Sequence, residues 1–88
     1  MSFNNFGTPS VIGPATSAGP TSISWWYNFG DNRGAQYAMA NIITPGGRLN
    51  TISQGNTLNP DGTVTYFVVF TNSGPGSVVH NLNGGGLV

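Results

Sequence analysis

From residue 63 to residue 72 the chain reads Thr-Val-Thr-Tyr-Phe-Val-Val-Phe-Thr-Asn, a β-branched and aromatic run that predicts an extended strand. Successive side chains of a strand point to opposite faces. Val64, Tyr66, Val68 and Phe70 therefore share one face, and Phe67 and Val69 share the other. A strand apolar on both faces belongs in the middle of a sandwich, or in a sheet whose second face packs on another subunit. Residues 21–29 are patterned differently. Ile23, Trp25, Tyr27 and Phe29 make an apolar face, while Ser22, Ser24, Trp26 and Asn28 make a polar face interrupted by one indole. The first face is assigned to the core. Trp26 is left to be covered by the N-terminal segment, by a second subunit or by a ligand.

Three weaker stretches complete the pattern. Residues 35–44 contain Ala, Gln and Met, which admit a helix, but Gly34 and Pro45 bound them and they end in Asn41-Ile42-Ile43, so a strand is predicted. Residues 48–53 read as a short strand with Leu49 and Ile52, followed by a polar loop through Asn59-Pro60-Asp61-Gly62. Residues 77–82 form the last strand, with Val78, His80 and Leu82 on one face, and the glycine run 83–86 reads as a C-terminal turn. Turn-forming clusters recur about every ten residues, the spacing of a sandwich or small barrel.

Residues 1–22 break this rhythm. Pro9, Pro14 and Pro20 alternate with Gly7, Gly13 and Gly19, which excludes helix and removes donors from any ladder. Phe3, Phe6, Val11 and Ile12 are too apolar for a linker. The expectation is an extended Pro/Gly-rich arm over 1–22, packed on its own domain or on a neighbour. Residues 23–88 then form one all-β domain, a small antiparallel β-sandwich of Ig-like or jelly-roll-like kind. Five strands are few for closure, so the arm or a partner is needed to complete the sandwich.

Charge changes the picture most. Arg33, Arg48, Asp31 and Asp61 are the only charged side chains in 88 residues, 5% of the chain, against about 25% in a typical domain. Nucleic acid and anionic membrane surfaces are recognised by Lys and Arg, which this chain lacks in number. No run of residues is apolar enough for a membrane span. A net charge of zero instead removes the repulsion that keeps copies apart. A chain of this length also gains from stapling. With no cysteine, disulfides are excluded, and one histidine argues against structural zinc. Self-association remains. The start Met-Ser-Phe-Asn-Asn has no basic or apolar stretch resembling a secretory signal, while the Asn/Ser/Thr/Gly-rich composition favours an extracellular or particle-associated setting.

No constellation of residues suggests catalysis. His80 is the only imidazole, there is no Gly-x-Ser-x-Gly elbow, and Asp31 and Asp61 both sit in turn phrases. Neither a metal nor a cofactor is expected. The residues with binding chemistry are Trp26 and Asn28, the loop residues Asp31, Asn32 and Arg33, and Tyr37 or His80 should they lie nearby. An indole beside hydroxyl-binding groups suits a neutral glycan, and it equally suits a subunit interface. Within the loop, an internal Asp31–Arg33 pair is the competing assignment.

Residues 65–75, Thr-Tyr-Phe-Val-Val-Phe-Thr-Asn-Ser-Gly-Pro, resemble the T-Y-x-V-x-V-x-N-x-G-P strand and turn of Ig-like repeats from bacterial surface proteins. The resemblance covers eleven residues and implies an Ig-like sandwich. Two functions are therefore expected. One is a non-enzymatic, self-assembling structural subunit of a filament, virion or surface layer, a homo-oligomer or polymer. The alternative is a small oligomeric lectin-like module for neutral glycans.

Overall fold

The computed structural model describes residues 2–86, with side chains from Pro9 onward. The roles expected of the Phe3 and Phe6 side chains lie outside the described residues. Six strands form: β1 (Ser2–Ile12), β2 (Thr21–Asn28), β3 (Gln36–Ile42), β4 (Asn50–Leu58), β5 (Val64–Asn72) and β6 (Val78–Gly86), with no helix among the described residues. They make two antiparallel three-stranded sheets, ordered β1-β6-β3 and β2-β5-β4.

The two-faced run of β5 occupies the centre of its sheet, as its pattern requires. Val64, Tyr66, Val68 and Phe70 are buried. Val68 and Phe70 join Ile12, Ala38 and Leu82 of the other sheet in one core cluster, with Ile23, Trp25, Tyr27, Ala40 and Leu49 packed against it. The sheets thus share a single apolar interior. The chain crosses between them from β1 to β2, β2 to β3, β3 to β4 and β5 to β6, while β4 and β5 form a hairpin within one sheet. The strand expected at 35–44 is β3, so Gly34 and Pro45 decided correctly against a helix.

Three stretches differ from expectation. The backbone of Ser2–Ile12 is not an irregular arm but a strand on β6, pairing Ser2–Phe6 with Leu82–Gly86 and Ser10–Ile12 with Val78–His80. Pro9 falls in the interval between Phe6 and Ser10 where the register shifts, so its missing N–H takes nothing from the ladder. The sixth strand is thereby supplied in cis. Residues 13–20 then cross to the second sheet through a turn in which Thr16 and Gly19 exchange backbone hydrogen bonds.

The polar segment after Ser53 is not a loop: β4 continues to Leu58, pairing Ser53–Leu58 with Val64–Val69. Hydrophobic patterning fails there because an edge strand exposed along most of its length needs no apolar face. The glycine run is not a turn either. Gly84, Gly85 and Gly86 lie mid-sheet, paired with β1 on one side and with Ala38, Tyr37 and Gln36 of β3 on the other. Two ladders hold this backbone without side chains. At Gly86 they leave no room for one, since a Cβ would stand 2.6 Å from the Ala35 carbonyl oxygen.

Candidate functional site

The outer face of the second sheet is a grid set by register. Its rows are Asn28–Thr65–Thr57, Trp26–Phe67–Gly55, Ser24–Val69–Ser53 and Ser22–Thr71–Asn50, each read across β2, β5 and β4. Trp26 is 66% exposed, so neither the N-terminal segment nor a loop covers it. Its ring rests on Phe67, with centroids 5.1 Å apart and planes 31° from parallel. Phe67 in turn lies over Gly55, where a Cβ would come within 2.7 Å of its ring. A glycine opposite an aromatic ring lets that ring lie flat on the sheet and shields the bare backbone. Phe67 and Gly55 were not expected as site residues. The apolar second face of β5 pointed to Phe67, but nothing in sequence locates Gly55 beneath it without the register.

The loop candidates are occupied by their own turn. Arg33 Nε donates to Asp31 Oδ1 at 3.1 Å, and the guanidinium sits 4.1 Å over the Phe29 ring. Asn32 Oδ1 accepts the Gly34 N–H at 2.9 Å. Asn28 is similarly engaged, accepting from Gly30 N at 2.7 Å and donating to the Thr63 and Thr65 hydroxyls. Beneath the loop, Tyr66 donates its hydroxyl to the Gly34 carbonyl at 2.7 Å and stacks on Tyr27. Burial, with a smaller contribution from Tyr66, raises the Tyr27 pKa and keeps that phenol neutral. The Asp61 carboxylate accepts from the Thr63 hydroxyl and N–H, which hold its pKa below the ordinary value.

Tyr37 and His80 do not join Trp26. Tyr37 lies on the outer face of the other sheet, beside a cavity of about 220 Å³ shared with Met39, Asn41 and Asn83. His80 is fully buried between the sheets. Trp25 Nε1 donates to its Nε2 at 3.3 Å, which places the proton of the neutral ring on Nδ1. Nδ1 has no hydrogen-bond partner of good geometry, although the Ser10 backbone lies close. The seven expected residues are thus divided among an outer face, a self-contained loop, the opposite face and the core. A groove of about 440 Å³ between turns 44–48 and 72–78 was not expected. It carries Arg48, which has no ion pair among the described residues.

Burial lowers the His80 pKa, opposed in part by the Ser10 backbone. The unfolded chain therefore takes up this proton before the folded one does. His80 should contribute stability that is full above its unfolded pKa near 6.5 and is lost as pH falls through the folded value. His80 is the one histidine of the chain, so the interval from about pH 7 to pH 5 isolates it. Urea midpoints should fall over that interval in the wild type and stay level in His80→Leu. Equal slopes in the two proteins would contradict the buried neutral tautomer.

Comparison with protein families, with characterised proteins and with solved structures finds no match for the chain.

Proposed function

We propose that the domain is a non-enzymatic structural subunit, a small β-sandwich that polymerises through the open edges of its sheets. One observation carries this reading. All six strands are free of Asp, Glu, Lys and Arg, and the four charged residues sit between strands. Monomeric β proteins protect their edges with lysines, prolines or inward charges, because an unpaired ladder templates another strand. Here β1 and β3 are the outer strands of one sheet, and β2 and β4 those of the other. β2, β3 and β4 contain neither charge nor proline. The bulge between Thr51 and Ser53 twists only the start of β4 and leaves Ser53–Leu58 regular.

The edges of the two sheets also adjoin one another. β1 touches β2, and β3 touches β4, so the domain has two open sides, each with one edge from each sheet. Setting the β3/β4 side of one copy against the β1/β2 side of the next continues both sheets at once. Such a head-to-tail contact builds a filament unless its rotation closes a ring.

The test places lysines on β4 where the side chains are exposed and make no hydrogen bond among the described residues, at Asn56 and Leu58. The wild type should form concentration-dependent polymers in sedimentation and negative-stain microscopy. The double variant Asn56→Lys/Leu58→Lys should be monomeric, with an unchanged thermal midpoint. A wild type that stays monomeric up to its solubility limit would sink the proposal, as would polymers that ignore the lysines.

A further inference from the structure

The geometry points to the outer face of the β2-β5-β4 sheet as a binding platform for a neutral saccharide, with Trp26 as the ring on which one pyranose stacks. This site is separate from the strand edges and does not rest on polymerisation.

Two requirements of sugar recognition meet on this face. The first is a rigid, open aromatic surface. A pyranose presents a patch of C–H groups that packs on the face of an aromatic ring, and a freely rotating indole would lose conformational entropy on binding. Trp26 is 66% exposed, yet it is backed by Phe67 at 5.1 Å, and Phe67 is seated over Gly55. The support is therefore built from three strands. A Cβ at position 55 would push Phe67 upward and disturb the ring beneath the indole.

The second requirement is a border of hydrogen-bonding groups that are not already spent. Neighbouring rows of one sheet face lie about 7 Å apart, within reach of the hydroxyls of a sugar centred on the middle row. Ser24 and Ser53 flank that row on one side and Thr57 on the other. Their hydroxyls make no hydrogen bond among the described residues. The Thr65 oxygen accepts from Asn59 at 2.9 Å and from Asn28 at 3.4 Å, which leaves its own proton to donate outward.

The chemistry of the face selects among occupants. It carries no Asp, Glu, Lys or Arg, so nothing on it would compensate a sulfate, a phosphate or a uronate. Aliphatic cover, which a protein partner would bury around a central aromatic, is confined at the paired positions to Val69, with Ile52 exposed in the bulge at the sheet edge. Hydroxyls surround the ring instead. The face is the outer side of a three-stranded sheet, which suits an interior unit of a neutral glycan chain lying across the strands better than a chain end.

Titration calorimetry of the full chain with neutral oligosaccharides of glucose, mannose, galactose and xylose tests the inference. The edge variant Asn56→Lys/Leu58→Lys serves as the parent, since those positions lie on the other side of β4 from Trp26. At least one sugar should bind. Trp26→Ala should weaken it by on the order of tenfold, and Trp26→Phe should restore most of the affinity. Ser24→Ala should have a smaller effect in the same direction. Binding of none of the four, or equal binding by Trp26→Ala, would overturn the site. So would dissolution of wild-type polymers by Trp26→Ala alone, because the face would then join copies.

Discussion

Phe70→Ala is expected to cost about 3–5 kcal/mol of folding free energy, a large share of what a domain of this size has available. Phe70 is fully buried on the central strand of its sheet and meets Ile12, Ala38, Val68 and Leu82. Its ring also stands edge-on to His80, with centroids 5.7 Å apart and planes at 81°. The cavity cannot close easily. β5 is held by neighbours on both sides, and so is β6 across the core from it, and neither central strand can move inward without breaking a ladder. Phe67→Ala removes the same side chain three residues earlier, where it is half-buried on the outer face, and about 1–2 kcal/mol should be lost. Urea unfolding followed by far-UV circular dichroism separates the two. Equal losses would mean that the faces of β5 are wrongly assigned.

That pair of substitutions also marks where the fold is legible in the sequence. Burial of period two is written into side chains, so the two-faced run of β5 announced a central strand and the alternation of β2 separated inward Trp25 from outward Trp26. Where side chains do not carry the pattern, the reading failed for identifiable reasons. Gly84–Gly86 have no side chains to alternate, and the two ladders that make them a strand involve distant residues, since Gly86 pairs with Gln36, 50 positions away, and with Ser2, 84 positions away. The second half of β4, Gln54–Leu58, is an exposed edge, so no apolar face was selected there. Ser2–Ile12 was obscured by Pro9, whose effect is confined to one shift of register.

The candidate site was legible to the same degree and for the same cause. An indole among serines could be recognised as unsatisfied, whereas its support could not, because Phe67 and Gly55 reach Trp26 only through cross-strand register. His80 shows the converse. Its chemistry admits it to the binding set, but its position with Val78 and Leu82 on one face of the strand points to the edge of the core, and it is buried there. Periodicity was the better guide there than residue type.

Asn72→Asp is expected to be as severe as any core truncation, although it exchanges one amide for a carboxyl of the same shape. Asn72 is 1% exposed at the end of β5. Its Nδ2 donates to the carbonyls of Ile12 at 3.2 Å, Gly13 at 3.0 Å and Gly76 at 2.8 Å, and its Oδ1 accepts the Gly74 N–H at 3.0 Å. One side chain thus ties the end of β1 to the turn between β5 and β6, within the Asn-x-Gly-Pro phrase that sequence alone presents as a turn. A carboxylate there faces three carbonyl oxygens with no donor, at a cost of about 3–5 kcal/mol near neutral pH. Asn72→Ala removes the donor to the three carbonyls and the acceptor of the Gly74 N–H without introducing a charge, and water can reach the carbonyls of Gly13 and Gly76, so about 2–3 kcal/mol should be lost. The sign with pH distinguishes the two. The folded pKa of the introduced carboxyl is raised above its unfolded value near 3.9. Its charge penalty is therefore absent below that value and returns as pH rises through the folded pKa. Measured against the wild type at each pH, so that the His80 contribution cancels, the Asn72→Asp deficit should shrink on acidification while that of Asn72→Ala stays constant. Limited proteolysis should cut both variants within residues 13–20, since releasing Ile12 and Gly13 frees the crossing from β1 to β2. Equal deficits at pH 7, or a deficit in Asn72→Asp that does not move with pH, would show that the amide does not face those three carbonyls.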